Sequence, residues 1–200
     1  MKTSRIILAL FVASLAGALA AAVGPDVAVL EIQTGKEKQT QQVVLGLYDS
    51  VAPLTVANFK ELAGKKFYNG MRFHRVFPGT LVQTGDPASR RGDSDRSGTG
   101  GPRYTLPAEI NGKFVRGTVA MSRLSDGINP SKASNGSQFF VALTALPKLD
   151  GKYTVFGEVL EGLDVLEAIS NQQTDSNDFP LAKIVIKSIT IQPRFAETAR

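Results

Sequence analysis

Eight short apolar runs, each about four to eight residues long and set apart by Gly, Pro, Asn and Asp, constrain this chain more than any other feature. Val27–Gln33 and Gln41–Leu47 read as a pair of strands across a polar turn. Phe73–Phe77 and Leu81–Thr84 form a second pair, bent at Pro78-Gly79. Thr118–Ser122, Gln138–Leu143, Thr154–Leu160 and Ile184–Ile191 complete the set, which predicts an all-β barrel or sandwich. Two segments have helical spacing instead. Pro53–Ala63 opens on Pro, ends before Gly64 as a C′ residue, and aligns Val56, Phe59, Leu62 and Ala63 on one face. Leu163–Ile169 places Leu163, Leu166 and Ile169 likewise. Eight strands and two helices predict a closed barrel whose open ends the helices plug. No repeat or linker divides it, and the one long irregular stretch is Pro87–Arg103.

The 200 residues suggest a single domain, with 42% apolar and 20% charged residues as in ordinary globular proteins. The absence of Cys excludes disulfides, thiol nucleophiles and Cys-ligated metal, and the single histidine, His74, excludes a His-rich metal site. Residues 1–22 have the three parts of a secretory signal: Lys2 and Arg5, an apolar stretch from Ile6 to Leu15, then Ala18-Leu19-Ala20 or Ala20-Ala21-Ala22 for cleavage. The expected organisation is therefore a signal over 1–22 and one domain over 23–200, with no stable membrane insertion after cleavage. Export is expected, to a bacterial periplasm or as a secreted protein. A chain without Cys is indifferent to an oxidising compartment.

Several chemistries are poorly supported. Ser137 lacks a G-x-S-x-G elbow, and His74 has no evident partner for a triad. Gly98-Thr99-Gly100-Gly101 is not followed by Lys-Ser/Thr, so it reads as a flexible turn and not as a phosphate cradle. Arg91-Gly92-Asp93 and Asn135-Gly136-Ser137 read as loop and turn, not as an adhesion tripeptide and a glycosylation site. Arg90, Arg91, Arg96 and Arg103 are interleaved with Asp93 and Asp95, and removing Lys2 and Arg5 lowers the net charge from +5 to +3, so no nucleic-acid partner is expected.

One block carries the strongest signal: Phe73-His74-Arg75-Val76-Phe77-Pro78-Gly79-Thr80-Leu81-Val82-Gln83-Thr84-Gly85-Asp86. It resembles the hallmark of the cyclophilin-type peptidyl-prolyl isomerases. Gly98–Gly101, Gly117–Ser122, Asn135–Phe140, Leu149–Lys152 and Val155–Gly157 match further family motifs in order, so the resemblance covers roughly Val27 to Ile191. It implies an eight-stranded antiparallel barrel capped by two α-helices. It also implies cis–trans isomerisation of Xaa-Pro bonds without cofactor or metal, on proline-containing and unfolded polypeptide clients.

By that resemblance Arg75 is the catalytic donor and Gln83 its companion, orienting Arg75 and bonding the substrate backbone. Phe140 is the floor of a proline pocket, with Leu81 and Leu149 as walls, while Phe139 points into the core. Gln138, Ser122 and Arg123 meet the residues that precede proline, and His74 is structural. The chain departs from the family at Thr80, where Phe is usual, and at Tyr153, where many members have His. It departs also at Lys148, which replaces a Trp used in cyclosporin binding, and at Arg123, which adds charge beside the groove. These changes open a second possibility, a proline-peptide chaperone or scaffold that binds without turnover. With no exposed heptads, a monomer is expected.

Overall fold

The computed structural model describes residues 23–35 and 39–194, and the expected signal over 1–22 lies outside them. Eight strands form one antiparallel sheet: β1 (Asp26–Thr34), β2 (Gln41–Leu47), β3 (Arg75–Phe77), β4 (Leu81–Thr84), β5 (Thr118–Met121), β6 (Phe139–Ala142), β7 (Val155–Glu161) and β8 (Ile184–Pro193). Their spatial order is β3-β4-β6-β5-β7-β2-β1-β8. Each corresponds to a predicted apolar run, and β2 and β4 match residue for residue.

The sheet curves into a half-barrel, and the expected closed barrel is corrected at the β3–β8 seam, where no strand ladder forms. β3 has only three residues, and the N–H of Val76 on its outer edge donates to the Asp178 carbonyl at 3.0 Å, so that edge is taken by a loop. The residues just before β3 approach β8 instead. Gly70 and Phe73 donate to the carbonyls of Ile186 and Ile184, and Ile186 donates to that of Met71.

Helix α1 (Pro53–Gly64) packs on β8 and buries Val56, Phe59, Leu62 and Ala63. Phe59 is the centre of an aromatic cluster, with its ring centroid 5.3 Å from Tyr68, 5.6 Å from Phe139 and 5.3 Å from Phe156. Its first turn has no local side-chain cap; Glu109, distant in sequence, accepts from Leu54 N (3.0 Å), Thr55 N (2.9 Å) and Thr55 Oγ1 (2.7 Å). That carboxylate satisfies orphan donors and lies at the positive end of the helix dipole. The helix ends two residues later than Gly64 as C′ would require. Lys66 takes the left-handed conformation (φ 57°), with Lys66 N bonded to Ala63 O and Phe67 N to Leu62 O, a Schellman closure without glycine.

Helix α2 (Leu163–Ser170) buries Val165, Leu166 and Ile169 against β2, β3 and β4. The irregular stretch after Asp86 begins with a short 3-10 helix, Pro87–Arg91. Asp86 is fully buried and pins both ends of this excursion: Oδ1 accepts from Ala88 N at 2.7 Å and Oδ2 from Gly98 N. A second 3-10 turn, Pro147–Leu149, was not anticipated from the sequence.

The sheet carries two apolar layers. The main core holds Leu30, Ile32, Leu45, Leu47, Met71, Val119, Met121, Phe139 and Phe156. The opposite face holds a smaller cluster of Phe114, Ala120, Phe140, Ala142 and Val155, with Leu81, Leu149 and Tyr153 against its rim. Strand alternation divides Phe139 from Phe140 in this way, as expected.

Candidate active site

The register of three adjacent strands assembles the centre of the site. Arg75 on β3 pairs with Gln83 on β4, and Gln83 pairs with Phe140 on β6, so their side chains share one face. Opposite Phe140 on β5 is Ala120, whose small side chain leaves the aromatic ring room. Gly85 follows β4 with φ +86°, and an added Cβ would come within 2.3 Å of the Ser137 carbonyl oxygen. That close approach draws the 135–138 turn beside β4 and explains why the motif carries Gly before Asp86.

Gln83 and Gln138 form the polar floor. The buried Gln83 donates through Nε2 to Gln138 Oε1 (2.9 Å) and Ser122 Oγ (3.1 Å). Gln138 in turn donates to the carbonyls of Gly98 (3.0 Å) and Gly100 (2.8 Å). Its side chain is therefore spent on the scaffold, linking the 98–101 loop to Gln83. Ser122 N donates to Gln138 O, and Ser122 O accepts from Asn135 N, each at 2.8 Å.

A groove of about 600 Å³ lies over this floor, lined by His74, Arg75, Gln83, Ser122 and Arg123, with Ser94–Asp95, Ser97–Thr99 and Ser176–Asp178 as its banks. Ser122, Arg123 and Gln138 also border an adjoining hollow of about 310 Å³ near Leu124 and Ile128. Arg75 is half exposed, stands 4.8 Å over the Phe77 ring, and places Nε 3.7 Å from Asp178 Oδ2. Arg123 is tied down: its guanidinium stacks 4.6 Å over Tyr153, bonds the carbonyls of Lys152 and Leu124, and pairs with Asp126 at 2.6 Å. Its charge is matched by that carboxylate.

The apolar part lies beside Gln83. Phe140 stacks on Phe114 (5.7 Å, 5°) and meets Tyr153 edge-on (5.6 Å, 84°), with Leu81 and Leu149 half-buried against the same cluster. Phe114 was missed in the sequence because it sits in an irregular segment with no periodicity. Thr80, in the β3–β4 turn, directs its hydroxyl to the Pro78 carbonyl (3.2 Å) and does not join this cluster. Lys148 is exposed on the 3-10 turn.

His74 lies under the groove and is almost wholly buried. Burial pushes its pKa below the usual histidine value, against the opposing pull of the Asp86 carboxylate. The Arg72 carbonyl and Gln138 are near enough to favour the charged ring, yet neither ring nitrogen makes a hydrogen bond of good geometry. Burial therefore dominates, and the imidazole is neutral. Among the described residues no cluster of three or more His, Asp or Glu has the arrangement of a metal site.

The comparisons agree with this architecture. Residues 29–191 match the family described as cyclophilin-type peptidyl-prolyl cis-trans isomerase. A probable peptidyl-prolyl cis-trans isomerase of Brucella suis is 39% identical over 183 residues, covering 87% of this chain and 88% of that one. The chain is 38% identical over 157 residues to a peptidyl-prolyl cis-trans isomerase-like 2 of Gibberella zeae, matching 78% of its own length but spanning only 26% of that longer protein. A crystal structure of a cyclophilin-type isomerase from Cryptosporidium parvum superposes with TM-score 0.71 at 28% identity, covering 84% of this chain and 97% of that one. The same Cryptosporidium protein has been solved in the presence of the dipeptide Ala-Pro. The chain belongs to the cyclophilin-type peptidyl-prolyl cis-trans isomerase family.

Proposed function

We propose that the protein isomerises Xaa-Pro bonds in exported polypeptides, with Arg75 stabilising the twisted transition state and without any cofactor. The supporting observation is the register that sets Arg75, Gln83 and Phe140 side by side on one face. Rotation about a peptide bond is opposed by a barrier of about 18–20 kcal/mol because the nitrogen lone pair is delocalised. At the perpendicular geometry that delocalisation is lost and the proline nitrogen becomes a hydrogen-bond acceptor. A guanidinium N–H aimed there binds the twisted state better than either planar one, which is what lowers a barrier.

In this reading the proline ring rests on the Phe140 face between Leu81 and Leu149, and the acyl side of the bond turns toward Arg75. Gln83, already fixed by Ser122 and Gln138, presents its carbonyl oxygen to the substrate backbone. Ser122 and Arg123 bank the residues before proline. No electron or group is transferred, so the chemistry needs no carrier. Exchange spectroscopy on a short Xaa-Pro peptide tests the proposal: wild type accelerates exchange, and a wild type that does not would overturn it.

Export rests on residues 1–22, with cleavage after Ala20 or Ala22 and delivery to a periplasm or the medium. Intact-mass analysis of the exported protein checks it, an uncut Met1–Arg200 mass counting against it.

A second reading, a holder of proline segments without turnover, is favoured by one observation. Phe140 is only 5% exposed beneath Phe114 and Tyr153, and Thr80 offers no aromatic wall. It would show as peptide binding without faster exchange.

A further inference from the structure

The motif alone gives the task of orienting Arg75 to Gln83, yet a guanidinium only donates, and among the described residues no hydrogen bond joins it to the Gln83 carbonyl oxygen, while the Gln83 amide serves Ser122 and Gln138. The guanidinium is instead held between the Phe77 ring, 4.8 Å away, and the Asp178 carboxylate, 3.7 Å from Nε. Asp178 comes from the loop between α2 and β8, far from the motif in sequence. Several bonds fix this loop. The Asp178 carbonyl accepts from Val76 N at 3.0 Å, and Asp175 Oδ1 accepts from Asn177 N (2.8 Å) and Phe179 N (3.1 Å). Phe179 is buried, and Asn177 Nδ2 reaches Asp95 Oδ1 (3.0 Å) and Ser94 Oγ (3.3 Å) on the facing bank. Asp178 itself is left-handed at φ 60°.

We propose that Asp178 is the positioning residue for Arg75. It anchors the guanidinium through Nε, and so leaves the terminal N–H groups directed at the proline nitrogen. An unanchored arginine has many rotamers, of which few place a donor over the rotating bond. The inference rests on Arg75 being the transition-state donor. Because both side chains are half exposed, the effect is that of a surface pair, about two- to fivefold in rate.

The experiment uses the full chain with an Xaa-Pro peptide, reading peptide affinity and bound-state exchange separately by NMR lineshape. Asp178→Asn is the variant, since Asn tolerates the left-handed backbone and keeps the Val76 bond while losing the charge. The expected result is exchange about two- to fivefold slower at unchanged peptide affinity. Raising NaCl from about 0.02 to about 0.5 M slows wild type toward the variant and leaves the variant unaffected, because salt screens the pair. A variant as fast as wild type, or wild type and variant responding to salt in parallel, would overturn the proposal. Arg75→Ala is the control on the underlying reading: full turnover there would remove Arg75 as donor, whatever Asp178 does.

Discussion

At the residue scale, the active face depends on side chains whose surroundings differ sharply. His74 is buried and neutral beneath the groove, so the unfolded chain binds a proton that the folded chain refuses. Its contribution is complete above the ordinary histidine value of 6.5 and is lost as pH falls through and below it, by up to about 1.4 kcal/mol per pH unit. Urea midpoints of wild type are expected to fall between about pH 7 and pH 5, and those of His74→Gln to fall less; parallel acid limbs would contradict this. Thr80 gives a second test. Thr80→Phe returns an aromatic ring beside Leu81 and is expected to tighten peptide binding about two- to tenfold, the effect of one aromatic contact, as read by peptide titration. Of the candidate residues, Arg75, Gln83 and Phe140 were singled out by the motif's resemblance to the family, and the strand register is what sets them on one face. Asp178 and Phe114 were not legible, since irregular segments carry no period and their partners are remote. Arg123 was legible as a groove residue but not as a neutralised one, because its Asp126 partner depends on the turn that joins them.

At the scale of elements, apolar periodicity located the eight strands and two α-helices of the described residues, and errors gathered at their ends. The end of α1 is set by backbone bonds to Ala63 and Leu62 and by Lys66, so glycine at 64 is not needed for closure. Its start is set by Glu109, which no local capping rule reveals. Glu109→Ala is expected to lower stability by about 1–2 kcal/mol through loss of that cap. Chemical denaturation measures the loss, and exchange catalysis at 25 °C is expected to stay near wild type because Glu109 touches no residue of the groove floor. An unshifted midpoint would mean water replaces the carboxylate at no cost.

At the scale of the whole molecule, the sheet order brings together strands far apart in sequence, and the site occupies the face that this order creates over β3, β4, β6 and β5. The open β3–β8 seam was beyond the sequence because it depends on which partner takes the outer edge of a three-residue strand, and here the Asp178 loop does so. That same loop forms one bank of the groove, so the departure from a closed barrel and the setting of Arg75 have one cause. The most direct test of the account is NMR exchange of an Xaa-Pro peptide with wild type and Arg75→Ala side by side. The account expects accelerated exchange in wild type and a loss of about a hundredfold or more in the variant, the effect of removing one transition-state donor. Equal acceleration by both proteins would contradict it.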